Sequence, residues 1–213
     1  MRATLRLATL FTACSLFSSA PHAQTAGPVT ITQRLDTAQA RVYVATLAPH
    51  APVVSRNGHA THRVLIYMDD GAMTIKDGAD TNRIDFKRGD VRWRPAGGPY
   101  TAENVSEHPI RILEIDLKGA PAGPAPVTTL DPVAVDPAHY TVELENEFVR
   151  VLRVHLGPGE KSARHEHILN RVVFYLNDQT SAKADDVRIS GAATHVEANE
   201  SASRADRIAV EMK

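Results

Sequence analysis

The same run of short β-forming segments is written twice in this chain, in the same order. "RVYVATLAP" from Arg41 lines up with "RVLRVHLGP" from Arg150, and "HRVLIYMDD" from His62 with "NRVVFYLND" from Asn170. "YTAENVSEHPIRILEIDLK", ending at Lys118, lines up with "HVEANESASRADRIAVEMK", ending at Lys213. Three ordered matches closing on the same lysine read as an internal duplication, so the chain is expected to fold as two like units. Between them, "KGAPAGPAPVTTLDPVAVDP" carries Pro121, Pro124, Pro126, Pro132 and Pro137. A segment so rich in proline is a stiff connector that has no place in a central strand.

Within each copy the pattern is β. Runs of five to eight residues rich in Val, Ile, Leu and Tyr alternate with Gly, Asp, Asn and Pro, and helical periodicity is missing. "DDG" at 69–71 and "KDG" at 76–78 favour tight hairpins. Many short strands without intervening helices indicate a sandwich or barrel. The second copy is the shorter. Arg63 to Tyr100 spans 37 positions and Arg171 to His195 spans 24, so 13 residues are missing, about one hairpin. Its wall is expected to be incomplete, with an edge to be covered by the first copy, a dimer partner or the linker.

The N-terminus reads as a targeting segment. "MRATLRLATLFTACSLFSSAPHAQ" runs from Arg2 and Arg6 through an apolar stretch to small residues ending at Ala23, the order of a secretory signal, and the expected location is periplasmic or secreted. The only cysteine, Cys14, lies inside it, in a weak lipoprotein-like box, the less favoured alternative. Cleavage after Ala23 leaves no cysteine, hence no disulfide and no thiolate ligand. It also takes the basic count from 24 to 22 against 25 acids, a net charge of -3. Such a balance gives no basic surface for nucleic acid, and nothing after the first 20 residues is apolar for long enough to span a bilayer.

Two motifs carry the chemistry. "GEKSARHEH", Gly159 to His167, places a glycine five residues ahead of His-x-His. In the first copy, "GDVRWRPAGGPYTAEN" runs from Gly89 through Pro95 and Gly97 to Tyr100 and Asn104. Side chains at i and i+2 of a strand share a face, so His165 and His167 can present two imidazoles to one ion, with Glu166 pointing away. His195 in "GAATHVEAN" is the third candidate, since His, three residues and Asn199 repeat the spacing from Tyr100 to Asn104. Alternation puts Glu197 and Asn199 on the face of His195, and Glu197 is read as a fourth ligand, an acceptor for an imidazole N–H, or a proton-transfer group.

These motifs resemble those of the cupin superfamily. The resemblance implies an all-β fold of two small antiparallel jelly-roll barrels in tandem, the second shortened. The boundaries are a signal peptide over 1–23, barrel 1 over 28–118, a Pro-rich linker over 119–136 and barrel 2 over 137–213. It also implies an interior holding a metal or small ligand, and pairing through the sheets, as a homodimer or as contact between the two lobes. The family's usual glutamate ligand would fall near Arg171 or Val172, neither of which binds a cation; an inward Arg171 would repel one. That leaves three histidines, with Glu197 as the catalytic candidate and a divalent transition metal (Fe, Zn, Ni, Mn or Cu) as cofactor. A three-histidine site resembles the iron centre of thiol dioxygenases. In the first copy Asn57, His59, Arg63 and Tyr100 occupy the ligand positions, which reads as a metal-free barrel. Trp93 and Tyr100 are expected to pack or line a pocket, and His50, His108 and His139 to be solvated. The functional expectation is a metal-binding small-molecule dioxygenase or isomerase; the alternative is a small-ligand-binding cupin without turnover.

Overall fold

Backbone pairing divides the strands at the proline-rich segment. The computed structural model describes residues 29–54, 60–121, 123 and 127–213. The signal segment with Cys14, and Asn57 and His59, lie outside the described residues. Before the linker come β1 (Val29–Asp36), β2 (Ala40–Leu47), β3 (Pro52–Val54), β4 (Arg63–Tyr67), β5 (Gly71–Asp77), β6 (Asp80–Phe86), β7 (Val91–Arg94), β8 (Tyr100–Asn104) and β9 (Ile110–Leu117). After it come β10 (Tyr140–Glu145), β11 (Val149–Leu156), β12 (His165–His167), β13 (Arg171–Tyr175), β14 (Val187–Ser190), β15 (Ala193–His195) and β16 (Ala205–Met212). Each lobe has a five-stranded antiparallel sheet, ordered β1-β2-β9-β4-β7 and β10-β11-β16-β13-β14. The opposing sheet is β3-β8-β5-β6 in the first lobe but only β12-β15 in the second. The β5–β6 hairpin therefore accounts for the residues the second copy lacks.

The duplication is visible in irregularities as well as in strands. β1 bulges between Gln33 and Leu35 against β2, and β10 bulges between Val142 and Leu144 against β11, at matching positions. "ENEF" at 145–148 turns the chain from β10 into β11, where the Asn146 side chain accepts from Phe148 and Val149 N–H. β10 escapes the alternation pattern because its middle is largely exposed. Gly89 adopts φ 88°, and at the corresponding position Asp185 holds φ 71°. Both donate their N–H to a strand-ending tyrosine carbonyl, Tyr67 of β4 and Tyr175 of β13.

The core has three parts. "RVLIY" in β4 and "RVVFY" in β13 are buried along their whole length. Each strand sends alternate residues to opposite faces, and both faces are covered. Leu65 and Tyr67 join Met73, Phe86 and Ile112 inside the first barrel. Val173 and Tyr175 join Leu152, Leu156 and Tyr140 inside the second. Val64, Ile66, Val172 and Phe174 point the other way, into a third cluster shared by the two five-stranded sheets. The lobes thus pair through their sheets within one chain. His62, on the face away from the barrel interior, stacks on Trp93 and Phe148 at the edge of that interface.

Linker residues serve the second lobe. Asp131 caps the single turn of helix α1 (Pro132–Val135) and pairs with Arg150. The Leu130 carbonyl accepts from Glu166 N–H, so the linker meets β12 and supplies one backbone hydrogen bond to an otherwise open edge.

Candidate metal centre

β12 and β15 bring the three histidines together. Register pairs His165 directly with His195 across the two strands, and the i, i+2 spacing puts His167 on the same inner face. Their ligand nitrogens lie within 4.8 Å of one another. Small ring rotations from there reach one ion at about 2.0–2.1 Å from each nitrogen. The rings meet edge to face, with centroids 4.6 Å apart for His165 and His195 and 5.0 Å for His165 and His167. His165 is fully buried and His167 nearly so.

Hydrogen bonds fix which nitrogen each ring offers. His165 Nδ1 lies 2.9 Å from the Ala163 carbonyl, which can only accept, so Nδ1 carries the proton and Nε2 faces the centre. His167 Nδ1 lies 2.8 Å from Glu211 Oε1 on β16, a buried carboxylate that orients the ring in the same way. His195 Nε2 is buried without a hydrogen-bond partner among the described residues. Burial lowers the His165 imidazole below the ordinary histidine range and takes His195 down to about 4. Burial that disfavours the charged forms of His165 and His195, ring nitrogens fixed by hydrogen bonds and one orphaned nitrogen together suit a divalent transition metal.

Around this cluster lies a cavity of about 340 Å³. The Tyr140 hydroxyl donates to Glu197 Oε2 at 3.0 Å and sits 3.2 Å from His165 Nε2; its single proton cannot serve both. Burial, reinforced by the Glu197 carboxylate, pushes the phenol well above the usual tyrosine range. Glu197 is gripped by Arg207 at 3.0 Å and lies 3.8 Å from His195 Nε2. Asp136 at the end of the linker accepts from Ala163 N–H and so steadies the carbonyl that orients His165.

Several expectations need correcting. Asn199 does not look into the cavity: its amide is buried and clamps a corner, donating to Leu156, Gly157 and Ser203 carbonyls. Asn104 does the same with Leu47 and His108. The residue after a strand end turns with the chain, which simple alternation ignores. His139 is not solvated; its side chain is 16% exposed and bridges Asp136 and Glu160, which raise its pKa. His50 is exposed as expected. Arg171 does face inward, lining the cavity. Tyr140, Glu211 and Arg207 were missed. Under the internal alignment Tyr140 and Arg207 replace Ile31 and Ile112, and Glu197 replaces Ala102, an exchange of apolar for polar residues that was a signal, whereas Glu211 replaces the equally acidic Asp116 and gave none. The first lobe's own cavity is correspondingly apolar, lined by Ile31, Ala102 and Ile112, with Tyr100 under the Arg94 guanidinium.

No protein-family model and no curated protein matches the sequence. Solved structures do match its fold. AerE from Microcystis aeruginosa is 10% identical with a TM-score of 0.61, covering 89% of this chain and 95% of that one. A cupin 2 conserved barrel domain protein from Leptotrichia buccalis is 13% identical with a TM-score of 0.57, covering 87% and 89%. A deletion mutant of Bacillus subtilis oxalate decarboxylase OxdC is 14% identical with a TM-score of 0.55, covering 89% and 78%. The protein has the cupin fold, as two antiparallel β barrels in one chain.

Proposed function

We propose that this is an exported two-barrel cupin protein whose second barrel holds one divalent transition metal (Fe, Zn, Ni, Mn or Cu) through His165, His167 and His195. It acts there on a small molecule as a dioxygenase or isomerase. The observation that carries this reading is the convergence of three imidazoles, two of them aimed by Nδ1 hydrogen bonds and the third left with an orphaned Nε2. A bound ion supplies Lewis acidity and open positions for a substrate oxygen or dioxygen.

The chain's own groups do the rest. Glu197, oriented by Arg207, accepts a proton from bound substrate, and the Tyr140 hydroxyl, which donates to Glu197 Oε2, steadies that carboxylate beside the histidine cluster. The first barrel is structural. Arg63 stands there among Glu114 and Asp116, and Tyr100 takes the place of His195. Export rests on the signal-like residues 1–23.

Titrating chelator-stripped protein with Zn²⁺ and Fe²⁺ tests the centre. One equivalent is expected to bind to wild type and none to a His165→Ala/His195→Ala variant; equal binding by both rejects the assignment. A second reading, a small-ligand-binding barrel without turnover, is favoured by the missing hairpin and by Arg171 in place of a ligand glutamate. Oxygen uptake over small thiols, phenols and keto acids separates the two: turnover that Glu197→Gln abolishes supports the enzyme, and none with a fully loaded protein supports the binder.

A further inference from the structure

The two lobes treat one arginine in opposite ways. Arg63 begins β4 and Arg171 begins β13, and each is buried, at 3% and 6% exposure. In the first lobe Arg63 is neutralised from β9: Nη1 lies 3.2 Å from Glu114 and Nε 3.4 Å from Asp116. In the second lobe the position of Glu114 is Ala209, and that of Asp116 is Glu211. Glu211 pairs in register with Arg171, yet its carboxylate turns to His167 Nδ1. The other nearby carboxylate, Glu197, is held by Arg207 and Tyr140. Arg171 keeps one hydrogen bond, to the Gly191 carbonyl at 2.6 Å, and no ion pair among the described residues.

We propose that Arg171 is the anchor for a small carboxylate, the substrate or ligand class of the second barrel. A buried guanidinium without its counter-ion is costly, and the cost is removed when an anion enters. Arg171 lines the same cavity as His167, His195 and Glu197, so an anion paired with it lies alongside the histidine cluster. The planar fork favours a planar carboxylate through two parallel bonds. Loss of the Glu114 equivalent and diversion of the Asp116 equivalent convert a structural ion pair into a vacant one. This inference rests on reading the second barrel's cavity as the functional site, but it does not require the ion.

The test is calorimetric titration of acetate, pyruvate and benzoate into the purified full chain, as isolated and after chelator treatment, with inorganic phosphate and chloride as controls. Saturable carboxylate binding is expected in both preparations, weakened at least about tenfold in Arg171→Met, the scale of losing a charged hydrogen-bond partner. Ala209→Glu restores the first lobe's counter-charge and is expected to abolish binding; it keeps the proposal testable should Arg171→Met fail to fold. Thermal melting provides a second check. Arg171→Met removes a charge that has no ion pair among the described residues and should lower the melting temperature less than Arg63→Met, which removes the ion-pair partner shared by Glu114 and Asp116. Carboxylate binding that survives both cavity variants, a preference for phosphate, or no anion binding at all overturns the proposal. Because the stripped protein is measured too, a failed metal centre leaves this result readable, and binding that needs the ion but not Arg171 upholds the centre while rejecting the anchor.

Discussion

His167 and Glu211 show how much of the centre depends on residues that cannot touch an ion. The Glu211 carboxylate holds Nδ1 of His167 and so fixes the direction of Nε2. Glu211→Gln keeps the shape and loses the charge, and is expected to weaken metal binding about 10- to 100-fold by competition titration. The histidines also set a pH dependence. His195 takes its proton near pH 6.5 when unfolded but only near about 4 when folded, because burial opposes the charge. The unfolded chain therefore binds more protons between those values. This contribution is complete above pH 6.5 and is lost as pH falls towards 4, with His165 adding in the same direction. His139, raised by Asp136, has the opposite sign: its contribution is complete below pH 6.5 and is lost as pH rises through its folded value. The urea midpoint of stripped protein should fall from pH 6.5 to 4, and His195→Asn should flatten the slope; a parallel slope in the variant would contradict the assignment. The three ligands were legible because i, i+2 spacing and the repeat's closing motif mark them. Tyr140 and Glu211 were not, because a strand position reports its facing only once bulge and register are known.

At the level of elements, what the sequence showed as strands the structure assembles by corners and covered edges. Asn104 and Asn199 each tie a strand end to carbonyls more than forty residues away. Asn199→Ala leaves buried carbonyls unpaired and is expected to cost about 1–3 kcal/mol by urea unfolding. Asp185 keeps a left-handed backbone where the first lobe has Gly89. Its carboxylate reaches Arg88 at 2.6 Å and Arg111 at 2.5 Å, from the other lobe. The strained position is retained because the side chain bridges two cations that glycine could not. The 13-residue deficit was readable as a lost hairpin. Its cover was not readable, because Leu130 lies in a proline-rich stretch whose composition speaks of stiffness and not of where it lies.

Across the whole molecule, the two five-stranded sheets share one apolar cluster, so each covers the other's outer face within the chain. Continuous burial along "RVLIY" and "RVVFY" is the sequence trace of that arrangement: a half-buried strand alternates, and these do not. Phe174 is fully buried in the shared cluster, and Phe174→Ala is expected to cost about 3–5 kcal/mol. Both lobes should lose that stability together, as one unfolding transition in calorimetry; two separated transitions would mean that the sheets do not act as a common core. In the second barrel His167, His195, Glu197 and Arg171 line one cavity. X-ray absorption at the metal edge of protein purified with its native ion tests the central claim most directly. The account predicts three imidazole nitrogens at about 2.0–2.1 Å, and loss of that signature in His165→Ala/His195→Ala; an unchanged spectrum in the variant, or no bound metal in the native protein, would contradict it.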